Sequence, residues 1–142
     1  MKKILVTGCS GFIGMHLCEN FLKDGILVFG IDNMNNYYDP NLKEERLKRL
    51  LLHDNFSFER IDISNHSEIS NVFKSFLPDR VVNLAAQAGV RYSLENPQAY
   101  VKSNIKGFLN ILEASRYNNV KGVIYASSSS VYGGNIKVPF ME

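Results

Sequence analysis

Cysteine and histidine are scarce in this chain of 142 residues, which contains two cysteines and three histidines. Cys9 and Cys18 are too few and too poorly placed for a disulfide framework, so we expect both thiols to be reduced and structural. His16, His53 and His66 share no metal-ligand spacing with each other or with the cysteines. The sequence therefore predicts no disulfide and no metal site.

Long apolar runs and clusters of like charge are also missing. No apolar run approaches the roughly 18 residues of a membrane span, and MKKILVTG at the start lacks the long apolar segment and cleavage site of a signal peptide. The formal net charge is +2, and the densest charged run, Lys43 to Arg49, is balanced by Glu44 and Glu45 as on a solvated helix face. These absences predict a cytoplasmic protein with no membrane contact and no nucleic-acid-binding surface.

The remaining composition is that of an ordinary globular protein, with 45% hydrophobic and 21% charged residues. No internal repeat, low-complexity tract or linker divides the chain, and its length suits one domain with a real core. We therefore expect one domain over residues 1–142.

Strand-like and helix-like segments alternate along the sequence. The pattern predicts strands at 3–7, 27–32, 56–60, 80–84 and 123–127, and helices at 12–23, 42–52, 67–76 and 98–117. Such alternation is typical of right-handed crossovers between parallel strands, with helices on both faces of the sheet. The expected fold class is α/β with a doubly wound parallel sheet, in which ligands bind beyond the carboxyl ends of the strands.

The first strand leads into a glycine loop, ILVTGCSGFIG, with glycines at positions 8, 11 and 14. Gly8 would let the chain turn off the strand, Gly11 would let backbone approach a pyrophosphate, and Gly14 would let the next helix pack closely on the sheet. The helix that opens at Phe12 and Ile13 would aim unpaired N–H groups at the anion. The loop predicts a dinucleotide site and a sheet of Rossmann type.

The second strand, LVFGID, ends in Asp32, eighteen positions after Gly14. An acidic residue about twenty positions on accepts hydrogen bonds from the adenosine ribose in such sites. Asn33 follows with no adjacent arginine, so the pattern favours NAD over NADP. The alternative is that the glycines form an ordinary tight turn and that Asp32 caps a loop.

Two more segments end at the same edge of the predicted sheet, Asp62–Ile63 after the third strand and the small-residue run 84–89 after the fourth. Small residues are expected where a cofactor passes close to backbone. The planar guanidinium of Arg91 could form a bidentate pair with a phosphate or a sugar carboxylate, although an exposed loop arginine commonly contacts only water. Asn104 lies inside a predicted helix, where asparagine is disfavoured, so we expect it to bond a neighbouring loop.

Four consecutive serines, Ser127 to Ser130, close the fifth strand. The sheet cannot satisfy all four hydroxyls, so some should face the cleft, where a serine would hydrogen-bond a reacting sugar hydroxyl. No G-x-S-x-G elbow surrounds them, which argues against an acyl nucleophile. Hydrogen bonds to neighbouring turns explain these serines equally well.

Together the segments TGCSGFIG, GIDNMNNYYDP, LAAQAGVRYSLENP and YASSSSVYG resemble the extended short-chain dehydrogenase/reductase family. The similarity covers nearly the whole chain and lies in the branch of NAD-dependent nucleotide-sugar epimerases and dehydratases. Within that branch the motifs are most similar to those of epimerases that act on UDP-glucuronate and often occur with capsular polysaccharide genes.

The resemblance implies NAD as the cofactor and a UDP-hexuronic acid or UDP-hexose as the substrate. Implied cofactor positions are Gly8, Gly11, Phe12, Ile13 and Gly14 at the pyrophosphate, Asp32 and Asn33 at the ribose, Asp62 and Ile63 at the adenine, and Leu84, Ala85, Ala86 and Gln87 on the nicotinamide side. Ser128 matches the family's catalytic Ser/Thr, with Ser129 and Arg91 at the sugar. The related 4,6-dehydratases carry an acidic pair where this chain has Ser129 and Ser130, which favours epimerisation.

The family reaction moves hydride from C4 of the hexose to NAD and back to the other face of a 4-keto sugar. Its base is a tyrosine whose pKa is lowered by a lysine four residues on. Here that spacing occurs only at Tyr117 and Lys121, at the edge of the sheet away from the cleft, and we interpret it as coincidence. Because the sequence stops at Glu142, we expect a sheet truncated after the fifth strand, without the part that binds UDP.

Two hypotheses of different class follow. The chain is either the cofactor-binding part of an epimerase, inactive by itself because Ser128 lacks a tyrosine base, or a non-catalytic nucleotide-binding module that acts through binding or assembly. Other activities of the family, UDP-glucose 4-epimerase and nucleotide-sugar dehydratase, stay open. The exposed edge of the last strand predicts pairing with another chain, as in a homodimer, or poor solubility.

Overall fold

Alternating strands and helices build the computed structural model, which describes residues 2–141. The strands are β1 (Lys3–Thr7), β2 (Leu27–Asp32), β3 (Phe56–Arg60), β4 (Arg80–Asn83) and β5 (Val123–Tyr125). The α-helices are α1 (Phe12–Lys23), α2 (Pro40–Leu50), α3 (His66–Phe76), α4 (Val90–Glu95), α5 (Pro97–Tyr100) and α6 (Phe108–Tyr117). A π-helical segment, Val101–Gly107, joins α5 to α6, and a 3₁₀ turn, Ser129–Tyr132, follows β5.

The five strands form one parallel sheet in the order β3-β2-β1-β4-β5. In its centre Leu5 pairs with Phe29 of β2 on one side and with Val81 of β4 on the other. The order reverses between β1 and β4, so the loop after β1 lies at the switch point where such sheets bind ligands. The predicted α/β fold of Rossmann type is confirmed.

Successive residues of the central strand point into two separate cores. Leu5 packs with Ile31, Phe73 and Ile111 on one face, and Val6 packs with residues such as Cys18 and Leu50 on the other. Both central side chains are fully buried. Helices therefore cover both faces, which explains why these strands are continuously apolar in sequence.

The helix ends follow local capping chemistry. Helix α2 begins two residues before its predicted start because Asp39 accepts a hydrogen bond from the Asn41 N–H and Pro40 occupies the first turn. Helix α3 is capped in the same way by Asn65, which accepts from the Glu68 N–H.

The helix predicted at 98–117 corresponds to a continuous helical stretch from Pro97 to Tyr117, but its middle, Val101–Gly107, is π-helical and the separate helix α4 was not predicted. Strands β4 and β5 also end one and two residues earlier than predicted, which leaves Leu84 and Ser127 in loops. At the end of the π-helical segment, a Cβ on Gly107 would lie 2.6 Å from Ile63 Cδ1. The close approach of this segment to the loop after β3 therefore depends on glycine.

Within residues 2–141 no helix is both long and apolar enough to cross a membrane. Among the same residues no group of three or more His, Cys, Asp or Glu side chains is arranged to hold a metal ion.

Candidate functional site

The glycine loop packs too tightly for larger residues. Gly8 has φ +70° and donates its N–H to the Ile31 carbonyl at 2.7 Å. A Cβ on Gly8 would lie 2.8 Å from Ala85 N, and a Cβ on Gly14 would overlap the Gly8 carbonyl oxygen and lie 2.9 Å from Cys9 Cα. These contacts bring β1, α1 and the exit of β4 together at the switch point of the sheet.

The amino end of α1 has no side-chain cap. Gly11 is its N-cap residue, and its own N–H bonds the Gly8 carbonyl at 3.0 Å. Gly8, Gly11 and Asp32 line a cleft at this end of the helix, whereas Phe12, Ile13 and Gly14 are not among its lining residues. The side chains of Phe12 and Ile13 are each 66% exposed to solvent. These residues could therefore contact a ligand through their backbone N–H groups.

Asp32 is buried at the carboxyl end of β2 and lines the same cleft. Its carboxylate accepts hydrogen bonds from the Ser10 N–H at 3.2 Å and the Met34 N–H at 2.9 Å. These bonds tie the glycine loop to the loop after β2 and hold the carboxylate in one orientation. Asn33 lies beside it in the cleft, and its amide oxygen accepts from the Asn35 N–H.

Helix α2 brings a lysine to this carboxylate, which corrects the interpretation of residues 43–49 as a solvated face. Lys43 is only 5% exposed, and its Nζ lies 3.9 Å from Asp32 Oδ1. Burial lowers the pKa of the Lys43 ammonium, and Asp32 opposes that shift. One turn away, Arg46 donates to the Ser10 carbonyl and the Tyr38 hydroxyl. The charged pattern in the sequence did not show which lysine turns inward.

The loop after β3 forms the next wall. Ile63 lines the cleft, and its carbonyl accepts from the Asn110 side chain at 2.9 Å. Asp62 lies in an adjoining groove, where Lys102 Nζ is 2.8 Å away and Ser64 donates through both N–H and Oγ. Burial raises the pKa of the Asp62 carboxyl, but the hydrogen bonds from Lys102 and Ser64 outweigh burial and lower it to about 2.

Thr7, a buried residue at the end of β1, positions the residues that follow β4. It was not identified as a site residue from the sequence. Its hydroxyl donates to Asn83 Oδ1 at 2.7 Å and accepts from the Leu84 and Ala85 N–H groups at 3.1 and 3.0 Å. The residues that follow, Leu84, Ala85, Ala86 and Gln87, line the cleft as predicted.

Asn104, in the π-helical segment, fixes the other end of this run. Its side chain accepts from the Gln87 N–H at 2.8 Å and donates to the Gln87 carbonyl at 2.9 Å. The prediction that Asn104 bonds a neighbouring loop is confirmed. Departures from regular α-helix of this kind are frequent at functional sites.

A second cavity, of about 610 Å³, opens between the exits of β4 and β5. Ala85, Gln87, Tyr100 and Ser128 are among the residues that line it. Ser128 Oγ accepts from the Ser130 N–H at 3.2 Å and donates to Ser130 Oγ at 3.1 Å. Ser128 therefore both bonds a neighbouring turn and borders a cavity, whereas Ser130 does not line that cavity.

Other residues discussed from the sequence lie away from these two cavities. Ser129 opens the 3₁₀ turn, and Arg91 is exposed on α4; neither lines the two cavities described. Tyr117 is exposed, and Lys121 Nζ pairs with Asp79 2.6 Å away, just before β4 begins. The Tyr117–Lys121 spacing thus falls at the edge opposite the cleft, as interpreted from the sequence.

The fold and the glycine loop define the class, an α/β protein of Rossmann type with a nucleotide-phosphate loop at its switch point. The chain belongs to the GDP-mannose 4,6 dehydratase family, whose model matches residues 5–142. This family lies among the extended short-chain dehydrogenases/reductases that include the NAD-dependent nucleotide-sugar epimerases.

Named relatives cover the chain almost completely. The chain is 54% identical over 138 residues to Protein CapI of Staphylococcus aureus. The aligned region covers 97% of this chain and 41% of CapI. The chain is 48% identical over 142 residues to UDP-glucuronate 4-epimerase of Thermodesulfobacterium geofontis, 100% of this chain and 44% of that protein. The chain thus spans about two fifths of the length of the curated relatives it matches.

Solved structures agree. UDP-glucuronic acid 4-epimerase from Bacillus cereus, crystallised with UDP-glucuronic acid and NAD, matches with a TM-score of 0.83 and 40% identity over 94% of this chain and 42% of that one. UDP-glucose 4-epimerase from Thermotoga maritima, crystallised with UDP-glucose, matches with a TM-score of 0.81 and 35% identity over 96% of this chain and 41% of that one.

Proposed function

We propose that this chain is the NAD-binding portion of a UDP-glucuronate 4-epimerase. The observation that carries the proposal is the arrangement at the switch point, where the uncapped helix end at Gly11 and the buried Asp32 carboxylate border one cleft, beside a loop that tolerates no Cβ at Gly14. This arrangement supports the proposal because a dinucleotide needs a helix end and close backbone at its pyrophosphate and a carboxylate at its adenosine ribose. The similarity to T. geofontis and B. cereus enzymes that act on or bind UDP-glucuronate supports the choice of substrate.

Each cofactor-binding position has a proposed task. Backbone at Gly8, Gly11, Phe12, Ile13 and Gly14 holds the pyrophosphate, whereas Asp32 with Asn33 binds the adenosine ribose. Ile63 and Asp62 border the adenine, and the run from Leu84 to Gln87 borders the nicotinamide. NAD, when bound, would supply the hydride acceptor and donor at C4 of the sugar; the residues of this chain bind and orient.

Ser128 is the proposed catalytic residue of this portion. It lines the larger cavity next to the Ala85–Gln87 wall, where its hydroxyl can hold the sugar hydroxyl that loses a proton. Ser129 and the exposed Arg91 guanidinium are proposed to contact the sugar, Arg91 by pairing with the carboxylate of a uronic acid. We also propose that the protein acts in the cytoplasm and that it forms a homodimer. The homodimer is proposed because the edge strand β5 is exposed.

We expect the 142-residue chain to bind NAD without interconverting UDP-glucuronate and UDP-galacturonate. In the described residues the Ser128 hydroxyl bonds only to Ser130, and the single Tyr-x-x-x-Lys pair lies at the far edge of the sheet. Ser128 alone is a poor proton acceptor.

Calorimetric titration of the chain with NAD tests the proposal. Wild type should bind, and Asp32→Ala should weaken binding at least about 10-fold, since a charged hydrogen-bond acceptor is lost. Asp24→Ala, an exposed carboxylate after α1, is the matched control and should bind as wild type does. Absence of NAD binding by folded wild type would overturn the proposal, and epimerase activity of the chain alone would overturn its expected inactivity.

A further inference from the structure

Lys43 is a buried cation at the adenosine end of the cleft whose hydrogen bonds are incomplete. Its Nζ donates to Asn35 Oδ1 at 3.0 Å and lies 4.8 Å from the centre of the Tyr38 ring. An ammonium has three N–H donors, and burial of a charged group normally requires partners for them. Asp32 Oδ1, at 3.9 Å, is beyond hydrogen-bond distance and already accepts from the Met34 N–H.

Two other lysines lie closer to their carboxylate partners than Lys43 does. Lys102 lies 2.8 Å from Asp62 and Lys121 lies 2.6 Å from Asp79, both in direct contact. The pair Lys43–Asp32 is more open by over 1 Å, although it is much more buried. Both members line the cleft together with Gly8 and Gly11.

The neighbouring cation, Arg46, makes its hydrogen bonds to groups other than Asp32. The Arg46 guanidinium is engaged by the Ser10 carbonyl at 3.4 Å and by the Tyr38 hydroxyl at 3.1 Å. Within residues 2–141, the polar groups around the ammonium are those of Asp32, Asn35, Tyr38 and Arg46. Among them, Asn35 accepts a hydrogen bond from it.

We propose that Lys43 is a cofactor-contacting residue, whose ammonium donates a hydrogen bond to a hydroxyl oxygen of the adenosine ribose while Asp32 accepts from the hydroxyl hydrogens. A hydroxyl both donates and accepts, so a carboxylate and an ammonium side by side satisfy the two capacities of a vicinal diol. The inference rests on the proposed function, because it assigns a residue of α2 to the same NAD site.

The test compares ligands that differ by one hydroxyl. The full chain and Lys43→Met are titrated calorimetrically with NAD, ADP, 2′-deoxy-ADP and 3′-deoxy-ADP. Lys48→Met is the matched control, since Lys48 lies on the same helix, is exposed and pairs with Glu45. Lys43→Met should weaken NAD and ADP binding about 10- to 100-fold, the loss expected for a charged hydrogen bond. With the deoxy analogue that lacks the contacted hydroxyl, the same substitution should cost less than about 3-fold.

The outcomes separate this inference from the proposed function. Equal weakening of all four ligands would mean that Lys43 only supports Asp32, and unchanged affinities would mean that it does nothing at the site; either overturns the inference while NAD binding stands. Failure of wild type to bind NAD and ADP would overturn both. Should circular dichroism show that Lys43→Met does not fold, Lys43→Gln, which retains a donor to Asn35, is judged by the same difference between ADP and its deoxy analogues.

Discussion

The two ends of the ligand cleft are built in different ways. At the β1–β2 end, Asp32, Thr7 and Ser10 are buried, and the cavity is narrow, about 120 Å³. At the β4–β5 end the cavity is about 610 Å³, β5 has three residues, and Tyr125 and Ser128 are exposed. Polar groups at the first end are positioned by long-range hydrogen bonds, whereas Ser128 is positioned by a turn two residues away.

This difference indicates which end of the cleft is preorganised before a ligand binds. Buried polar groups with satisfied hydrogen bonds are costly to rearrange, so the β1–β2 end should be rigid before a ligand arrives. Exposed groups with local bonds open at little cost, so the β4–β5 end should adapt. The substitutions below probe that contrast and are ordered by the size of the change we expect.

Gly14→Ala should have the largest effect, because the new Cβ would overlap the Gly8 carbonyl and α1 would have to move off the sheet. We expect a loss of about 3 kcal/mol in the free energy of unfolding, measured by urea denaturation, together with loss of NAD binding. Gly134→Ala, at the sugar end, is the control because nothing lies within 4 Å of its Cβ position. Similar losses in the two variants would show that the glycine loop is not tightly packed.

Thr7→Val and Ser128→Ala compare one hydroxyl from each end. Thr7→Val keeps the shape but leaves the Ala85 N–H without its acceptor and Asn83 Oδ1 without its donor, and should cost about 2 kcal/mol. Ser128→Ala removes an exposed hydroxyl and should change stability by less than about 0.5 kcal/mol. Thermal or urea unfolding measures both, and equal losses would erase the proposed contrast.

Asn104→Ala tests the element that joins the two ends, since the Gln87 wall borders both cavities. Loss of the two hydrogen bonds to the Gln87 backbone should cost about 1 kcal/mol of stability and should weaken NAD binding several-fold. Gln98→Ala, an exposed amide on the neighbouring α5, serves as the control. An unchanged NAD affinity for Asn104→Ala would show that the wall is positioned without it.

Acidification should remove a small contribution that Asp62 makes to stability. Asp62 has a folded-state pKa of about 2 against an ordinary value of 3.8, so its contribution to stability is present above about pH 4 and is lost as the pH falls through about 2. Because the pair with Lys102 is partly exposed, we expect less than about 1 kcal/mol.

Urea denaturation at about pH 5 and about pH 2.5 measures this contribution in wild type, Lys102→Met and the control Lys106→Met, an exposed lysine of the same segment. Wild type and Lys106→Met should lose more stability on acidification than Lys102→Met. The same loss in all three would contradict a role for the Lys102–Asp62 pair.

Much of the fold follows from local patterns in the sequence. Segments such as ILV and LVFGI are apolar throughout and predict strands covered on both faces, and the strand bounds of β1, β2 and β3 agree with the structure. The prediction missed α4 and the π-helical character of residues 101–107, where helical residues continue but the hydrogen-bond pattern changes. The cause is tertiary, because Gly107 and Asn104 adjust to Ile63 and Gln87, loops distant in sequence.

The candidate site divides in the same way. The glycine loop and the acid at the end of β2 could be identified from the sequence alone, because steric freedom and spacing are properties of the local residues. Three-dimensional packing was needed to show that Thr7 supports β4, that Lys43 and not Lys48 turns toward Asp32, and that Ser128 borders a cavity. Those placements depend on which strands are neighbours and which face of α2 packs on the sheet, and long-range packing of that kind leaves no local signal.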